Sequence, residues 1–250
     1  MLRIDRVSLT LERLTIDRPP ANALTHDLFQ QLVDRFVHLR DDADAPAIIL
    51  TGAGPRFFCA GGDIGEVTAN PEVAVPRMRA FHQFLIEQEN YGRPIVSAVN
   101  GYAVGAGMEM VLHSDYVVAS EKAQFGFPEI NHGLLPAAKG IRQAVNRIGR
   151  RAAEQMLYTG QLVSAEKALA IGLVNEVVAF DVLQDRAVAQ AELLRSKDMN
   201  LFAAIKKTLR DAPRMTDEAL EERTITDLVD YISRGEAAAA RQQFLQRKAK

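Results

Sequence analysis

Residues 99–115 form the stretch Val99-Asn100-Gly101-Tyr102-Ala103-Val104-Gly105-Ala106-Gly107-Met108-Glu109-Met110-Val111-Leu112-His113-Ser114-Asp115, which combines a strand end, a glycine-rich turn and an apolar helical run. Glycines let backbone N–H groups approach a ligand, and a helix start presents N–H donors without partners. Glu109 lies inside the apolar run, where a carboxylate is costly without a partner or a function. The pattern favours a catalytic element. The alternative is a tight turn before a helix whose acid faces solvent.

Composition and charge restrict the class of protein. Hydrophobic residues make up 48% and charged residues 25% of the 250 positions, which is typical of a globular protein. The net charge of −2 argues against a broad surface for nucleic acid or anionic membranes. The single cysteine, Cys59, excludes an internal disulfide framework. With no secretory signal at residues 1–5 and no long apolar run, the sequence predicts a cytoplasmic protein.

Strand-like and helix-like segments alternate through the first 180 residues, and the pattern is helical from about residue 181 onward. Thr25 is predicted to cap the first helix, and two helical segments are predicted around 139–148 and 150–159. Four apolar residues at helical spacing are predicted to be core: Met78, Phe81, Phe84 and Leu85. The order of elements predicts an α/β core with a helical C-terminal part.

A second glycine-rich loop, at 52–64, also follows an apolar strand-like segment. Both loops therefore lie at strand carboxyl ends, where α/β folds bind ligands, and each could direct one N–H at a common oxygen. A second acid, Glu129, follows Phe127 and Pro128 in another apolar context. Two carboxylates beside such an oxyanion hole suit acid–base chemistry at the carbons next to a thioester carbonyl.

The stretch at 95–110 resembles the signature of the crotonase (enoyl-CoA hydratase/isomerase) superfamily. Other segments are similar to that family's motifs in the same order: 20–24 to its coenzyme A loop, 57–64 to its first oxyanion loop, 123–130 to its second-glutamate motif and 158–174 to its later helix pair. The resemblance implies a spiral of β-β-α turns over residues 1–185. It also implies a helical region over 186–250 for trimerisation and active-site cover, and a homotrimer or a dimer of trimers.

The resemblance also implies roles for individual residues. The backbone N–H groups of Gly62 and Ala106 would form the oxyanion hole. Glu109 and Glu129 would be the catalytic carboxylates, one activating water for attack at Cβ and the other protonating Cα, with the two roles interchangeable in a coupled pair. Contacts to the acyl-CoA substrate would come from Ala21, Ala23, Leu24, Ala60, Gly62, Asp63 and Ile64. No metal is implied, and coenzyme A enters only as part of the substrate.

The presence of both glutamates favours an enoyl-CoA hydratase-type hydro-lyase, which adds water across a 2,3-double bond, as in fatty acid metabolism. The alternatives are other crotonase reactions on an acyl-CoA, namely double-bond isomerisation, decarboxylation and thioester hydrolysis. A non-catalytic or RNA-binding relative is disfavoured by the two glutamates and by the slight acidity.

Two positions depart from the family pattern. Ala106 replaces the usual glycine. Its methyl group leaves the backbone N–H available but narrows the space through which a ligand approaches it, and the conformational cost is modest if φ is negative. Lys139 introduces a charge where none is expected, and it is predicted to pair with a carboxylate or to reach a polar acyl group.

Other catalytic chemistries lack necessary parts. Cys59 has no orienting acid for a thiol nucleophile and is predicted to be packing. His132 is predicted to be a surface or hydrogen-bonding residue. His113 and Asp115 lack a third metal ligand at useful spacing, and Met110 replaces the third glycine of a dinucleotide fingerprint.

Overall fold

The computed structural model describes residues 1–234 together with 242 and 245, and it divides the chain into two compact units. The first unit is Met1–Ser196 and the second begins at Lys197. The strands of the first unit are β1 Leu2–Arg6, β2 Leu11–Ile16, β3 Ala47–Gly52, β4 Phe57–Cys59, β5 Ile95–Val99, β6 Tyr102–Val104, β7 Tyr116–Ser120, β8 Gln124–Gly126, β9 Val163–Ser164 and β10 Glu176–Val178. Its helices are α1 His26–Leu39, α2 Pro71–Asn90, α3 Ala106–Leu112, α4 Ala138–Thr159, α5 Ala165–Ala170 and α6 Leu183–Arg195.

The strands form two separate sheets. The larger has the order β1-β2-β3-β5-β7-β10, and the smaller has the order β4-β6-β8-β9. Pairing is parallel except between β1 and β2 and between β8 and β9. Successive strands alternate between the sheets (β3 and β4, β5 and β6, β7 and β8), and each pair is followed by a helix, α2, α3 or α4. This arrangement is the predicted spiral of β-β-α turns.

The larger sheet is covered on both faces. Every residue of β5 is buried, as expected for a central parallel strand. On one face α6 packs through Leu183, Ala187 and Ala191 against apolar residues of the sheet. Because these contacts tie α6 to the sheet, the first unit ends at Ser196, and the predicted boundary at residue 185 falls inside a helix of the core.

Local signals in the sequence fix several helix ends. The Thr25 hydroxyl accepts a hydrogen bond from the Leu28 N–H at the start of α1. The two predicted segments around residue 149 are one helix, α4, interrupted at Gly149, where φ is +74°. Phe81, Phe84 and Leu85 are buried as predicted, but the prediction for Met78 was wrong. Its side chain is 46% exposed because it faces a cavity instead of the core.

The second unit is helical over its described residues. It contains α7 Met199–Asp211 and α8 Asp217–Ser233. Asp211 accepts hydrogen bonds from Arg210 and Arg223, and the Tyr231 hydroxyl donates to Asp198. The remainder of the predicted helical region, beyond residue 234, lies outside the described residues except for 242 and 245. In the described part of the chain, no helix is both long and apolar enough to cross a membrane.

Candidate active site

One cavity of about 300 Å³ in the first unit brings most of the predicted site residues together. Glu109 and Glu129 both line it, and so do the two predicted oxyanion residues, Gly62 and Ala106. The wall is completed by apolar side chains, including Phe29, Ile64, Met78, Phe81 and Leu134. A cleft that combines convergent polar groups with an apolar wall is the usual form of a small-molecule site.

Glu109 is held in position from α4. It lies in the short helix α3 and is 1% exposed. Its Oε1 accepts a hydrogen bond of 3.0 Å from the Ala137 N–H, at the start of α4, while Oε2 has no partner among the described residues. The pKa of Glu109 is raised to about 8, mainly by burial; the Ala137 N–H opposes the shift and the nearby charge of Glu129 adds to it. The carboxyl therefore binds a proton near neutrality.

Glu129 enters the cavity from another element. It lies in the short 3-10 helix Pro128–His132, which follows β8, and it is half-buried. Burial raises its pKa to about 6. Its Oε2 is buried without a hydrogen-bond partner in the described chain. The two acids thus present free carboxyl oxygens to one space, with pKa values on either side of neutrality.

Three glycines near the two acids lie so close to neighbouring atoms that no side chain fits at their positions without displacing a neighbour. Gly105 has a φ of +55°, and a Cβ built on it would lie 3.0 Å from Glu129 Oε1. A Cβ on Gly107 would lie 2.5 Å from the Cys59 carbonyl oxygen, and one on Gly140 would overlap the Glu109 carboxylate. Side chains at these positions would displace the acids or separate α3 from β4.

The two predicted oxyanion donors come from adjoining loops. A Cβ built on Gly61, whose φ is +94°, would lie 3.5 Å from the Ala106 backbone nitrogen. The N–H groups of Gly62 and Ala106 donate to no other described residue, so both are available to a ligand oxygen. Ala106 does not have a positive φ, so its methyl group causes no backbone strain.

The predicted substrate contacts divide into two groups. Ala60, Gly62 and Ile64 line the cavity, whereas Ala21, Ala23, Leu24 and Asp63 are not part of its described wall. Ala21 accepts a hydrogen bond from the Ala60 N–H, and Leu24 pairs through its backbone with Gly61 and Asp63. Leu24 itself is fully buried. The loop at 21–24 therefore holds the cavity-lining loop at 60–64 in place through backbone hydrogen bonds and does not itself line the described cavity.

The remaining candidates have structural contacts. The Lys139 ammonium pairs with Glu89 and is 6% exposed, so the first of its two predicted roles is observed. Burial raises the pKa of Cys59 to about 12, which leaves the thiol protonated and unsuited to nucleophilic attack. His113 contacts the Glu109 carbonyl oxygen through Nδ1, and burial lowers its pKa to about 4. The described residues contain no group of three or more His, Cys, Asp or Glu side chains placed to hold a metal ion.

Two charged residues of the cavity, Glu66 and Arg77, were missed by the sequence analysis. Arg77 lies on α2, in a stretch interpreted only through its apolar residues, and Glu66 ends the short 3-10 helix Ile64–Glu66. An arginine on a helix usually extends into water. No local signal in the sequence showed that Arg77 lies over Gly62 or that Glu66 pairs with Arg77.

Comparison with known proteins is consistent with this geometry. The sequence model of the enoyl-CoA hydratase/isomerase family matches residues 7–250. The chain is 33% identical over 239 residues to 2,3-dehydroadipyl-CoA hydratase of Escherichia coli K12, covering 94% of this chain and 92% of that protein. It is 33% identical to carnitinyl-CoA dehydratase of the same strain, covering 87% and 83%. The crystal structure of enoyl-CoA hydratase from Bacillus anthracis superposes with a TM-score of 0.92 at 25% identity, covering 98% and 96%.

Proposed function

The chain belongs to the enoyl-CoA hydratase/isomerase family, the crotonase superfamily, and we propose that this enoyl-CoA hydratase-like enzyme adds water across the 2,3-double bond of an enoyl-CoA thioester. One observation carries the proposal. Glu109, Glu129 and the free N–H groups of Gly62 and Ala106 line the same cavity. The relatives named hydratase and dehydratase support it, since hydration and dehydration are the two directions of one reaction.

The N–H pair would bind the thioester carbonyl oxygen. When water attacks Cβ, the π electrons of the double bond move toward the carbonyl and negative charge develops on that oxygen. Two donors already in place stabilise this charge more than the neutral substrate, which lowers the barrier. The glycine-rich turns at 61–62 and 105–107 would serve this purpose, since they adjoin: a Cβ built on Gly61 would lie 3.5 Å from the Ala106 backbone nitrogen.

The carboxyl pair would move the protons. Near neutrality the pair holds one proton, because the pKa of Glu129 is about 6 and that of Glu109 is about 8. The ionised member takes a proton from water as the O–Cβ bond forms. The protonated member gives its proton to Cα as the enolate collapses, and the pair ends with the same number of protons. Because the two groups interact, the acid and base roles belong to the pair.

Further features of the family would complete the enzyme. Coenzyme A would enter as part of the substrate, with its arm along residues 60–64 and beside the supporting loop at 21–24. The chains would assemble as a homotrimer or a dimer of trimers, in which the helical C-terminal region serves assembly and covers the active site. No metal or further cofactor takes part in the proposed steps.

Loss of the 2-enoyl-CoA ultraviolet absorbance measures the reaction directly. Glu109→Gln and Glu129→Gln should each lower turnover by about 10²- to 10⁴-fold, since each removes one proton-transfer group and keeps the size of the side chain. Glu121→Gln, at an exposed glutamate outside the cavity, is the matched control and should keep full turnover. Wild-type turnover in either active-site variant would remove that residue from the mechanism. Release of free thiol without hydration would instead identify a thioester hydrolase.

A further inference from the structure

Arg77 places a guanidinium in the cavity that the proposed hydration step does not use. It extends from α2 over the oxyanion loop, where its Nη2 lies 2.6 Å from the position that a Cβ on Gly62 would occupy. The side chain is only 11% exposed. Its neighbours in the cavity wall are mainly apolar: Phe29, Ile64, Val67, Met78 and Phe81. A positive charge is unexpected in a pocket that only has to hold a hydrocarbon chain.

The protein fixes this guanidinium without satisfying all of its donors. Nε donates to Glu66 Oε2 at 3.0 Å, and Nη2 donates to the Asp63 carbonyl oxygen at 3.2 Å. Cζ lies 5.7 Å from the centroid of the Phe29 ring. Nη1 donates to no residue within the described part of the chain. Arg77 is therefore held by several contacts and retains N–H donors that a ligand can use.

Glu66 neutralises Arg77 only in part. The same Oε2 that accepts from Arg77 also accepts a hydrogen bond of 2.8 Å from the His26 N–H, at the start of α1. Glu66 is 33% exposed, against 11% for Arg77, so its charge is better screened by water. The more buried member of the pair is the cation, and the apolar wall around it strengthens its attraction for an anion.

We propose that Arg77 determines substrate specificity by binding a carboxylate on the acyl group, so that the substrates are enoyl-CoA thioesters of dicarboxylic acids. This proposal rests on the proposed function for the thioester itself. A guanidinium offers parallel N–H donors that match the two oxygens of a carboxylate, and such charge-assisted bonds are stronger than neutral ones. Glu109 and Glu129 share a proton near neutrality, which limits their repulsion of an acidic acyl group.

Binding of unreactive, saturated thioesters tests this inference without requiring turnover. Calorimetry would compare glutaryl-CoA with valeryl-CoA and adipyl-CoA with hexanoyl-CoA, pairs of equal chain length that differ in the terminal carboxylate. The wild-type protein should bind the acidic member of at least one pair about 10- to 100-fold more tightly. Arg77→Gln should abolish that preference, chiefly by weakening the binding of the acidic member. Arg77→Lys should retain part of it, and Glu66→Gln should increase it.

Arg79→Gln is the matched control, because Arg79 is exposed on the same helix and does not line this cavity in the described structure. It should keep the wild-type preference. Equal affinity of the wild type for acidic and neutral thioesters would overturn the inference. So would an Arg77→Gln variant that loses affinity for both members equally, since that result indicates a purely structural role. A wild type that binds the thioesters but hydrates no enoyl-CoA would refute the proposed function and leave the binding result valid.

Discussion

Glu109 shows how a catalytic residue can destabilise the fold that holds it. Its pKa is about 8 in the folded chain, raised by burial, against an ordinary value of 4.5. Between pH 4.5 and pH 8, Glu109 therefore keeps its proton in the folded state, whereas the same side chain has released its proton in the unfolded state. The contribution of Glu109 to the free energy of unfolding is therefore highest below pH 4.5, and it falls as the pH rises toward 8. The buried carboxylate of Glu109 therefore destabilises the folded chain increasingly as the pH becomes alkaline.

Replacement of this carboxyl by an amide should remove that cost. Glu109→Gln keeps an oxygen acceptor for the Ala137 N–H and cannot ionise. We expect its melting temperature to exceed that of the wild type at pH 8, with a gap that narrows as the pH is lowered to 5. For a chain of this size, each kcal/mol changes the melting temperature by about 2–4 °C. A gap that stays constant with pH would show that Glu109 does not titrate in this range.

At the scale of elements, α4 positions Glu109 through its first turn. Ala137 donates to the carboxylate, Gly140 lies against it, and Lys139 pairs with Glu89 of α2. The first turn of α4 is thereby attached both to the catalytic acid and to the helix that lines the cavity. A small change in that turn is expected to move the acid more than it disturbs the core.

Two glycine substitutions in α4 separate catalysis from stability. Gly140→Ala places a methyl group on the Glu109 carboxylate, and we expect turnover to fall by about 10²-fold as the acid is displaced. Gly149→Ala meets no neighbouring atom, but the backbone conformation at this position, with φ +74° and ψ 159°, is open almost only to glycine and costs another residue about 1–3 kcal/mol. It should lower the melting temperature and leave turnover intact. Equal turnover in the two variants would contradict the role assigned to the start of α4.

Elements with local signals could be predicted from the sequence. The Thr25 hydroxyl caps the start of α1, and the non-helical backbone conformation of Gly149 interrupts α4. Both features depend on a single residue type at a single position. Glu109 was identified because a carboxylate in an apolar run near glycines is unusual. Arg77 gave no such signal, because its meaning depends on its contact with Gly62, which lies in the loop between β4 and α2 and meets Arg77 only in the folded chain. Residues whose function depends on such distant contacts require the fold.

At the scale of the whole molecule, the second unit carries apolar side chains that are exposed in the described part of the chain. On α8 they recur at intervals of three and four residues and form one stripe, and two more lie one turn apart on α7. These exposed residues are Ile225, Leu228, Val229 and Ile232 on α8, and Ile205 and Leu209 on α7. A contiguous apolar surface of this kind is costly in water and is typical of a subunit interface. It supports the proposed assembly of three or six chains.

Light scattering after size exclusion tests that assembly. We expect the wild type to have three or six times the chain mass of 27.6 kDa. Combined Ile225→Glu and Val229→Glu substitutions put two charges into the stripe, and burying them between subunits would be unfavourable, so this variant should have the mass of one chain. Thr226→Glu adds one such charge on α8 outside the stripe and should leave the assembly intact. A wild type with the mass of one chain would refute the trimer, and a double variant that still assembles would place the interface elsewhere on the molecule.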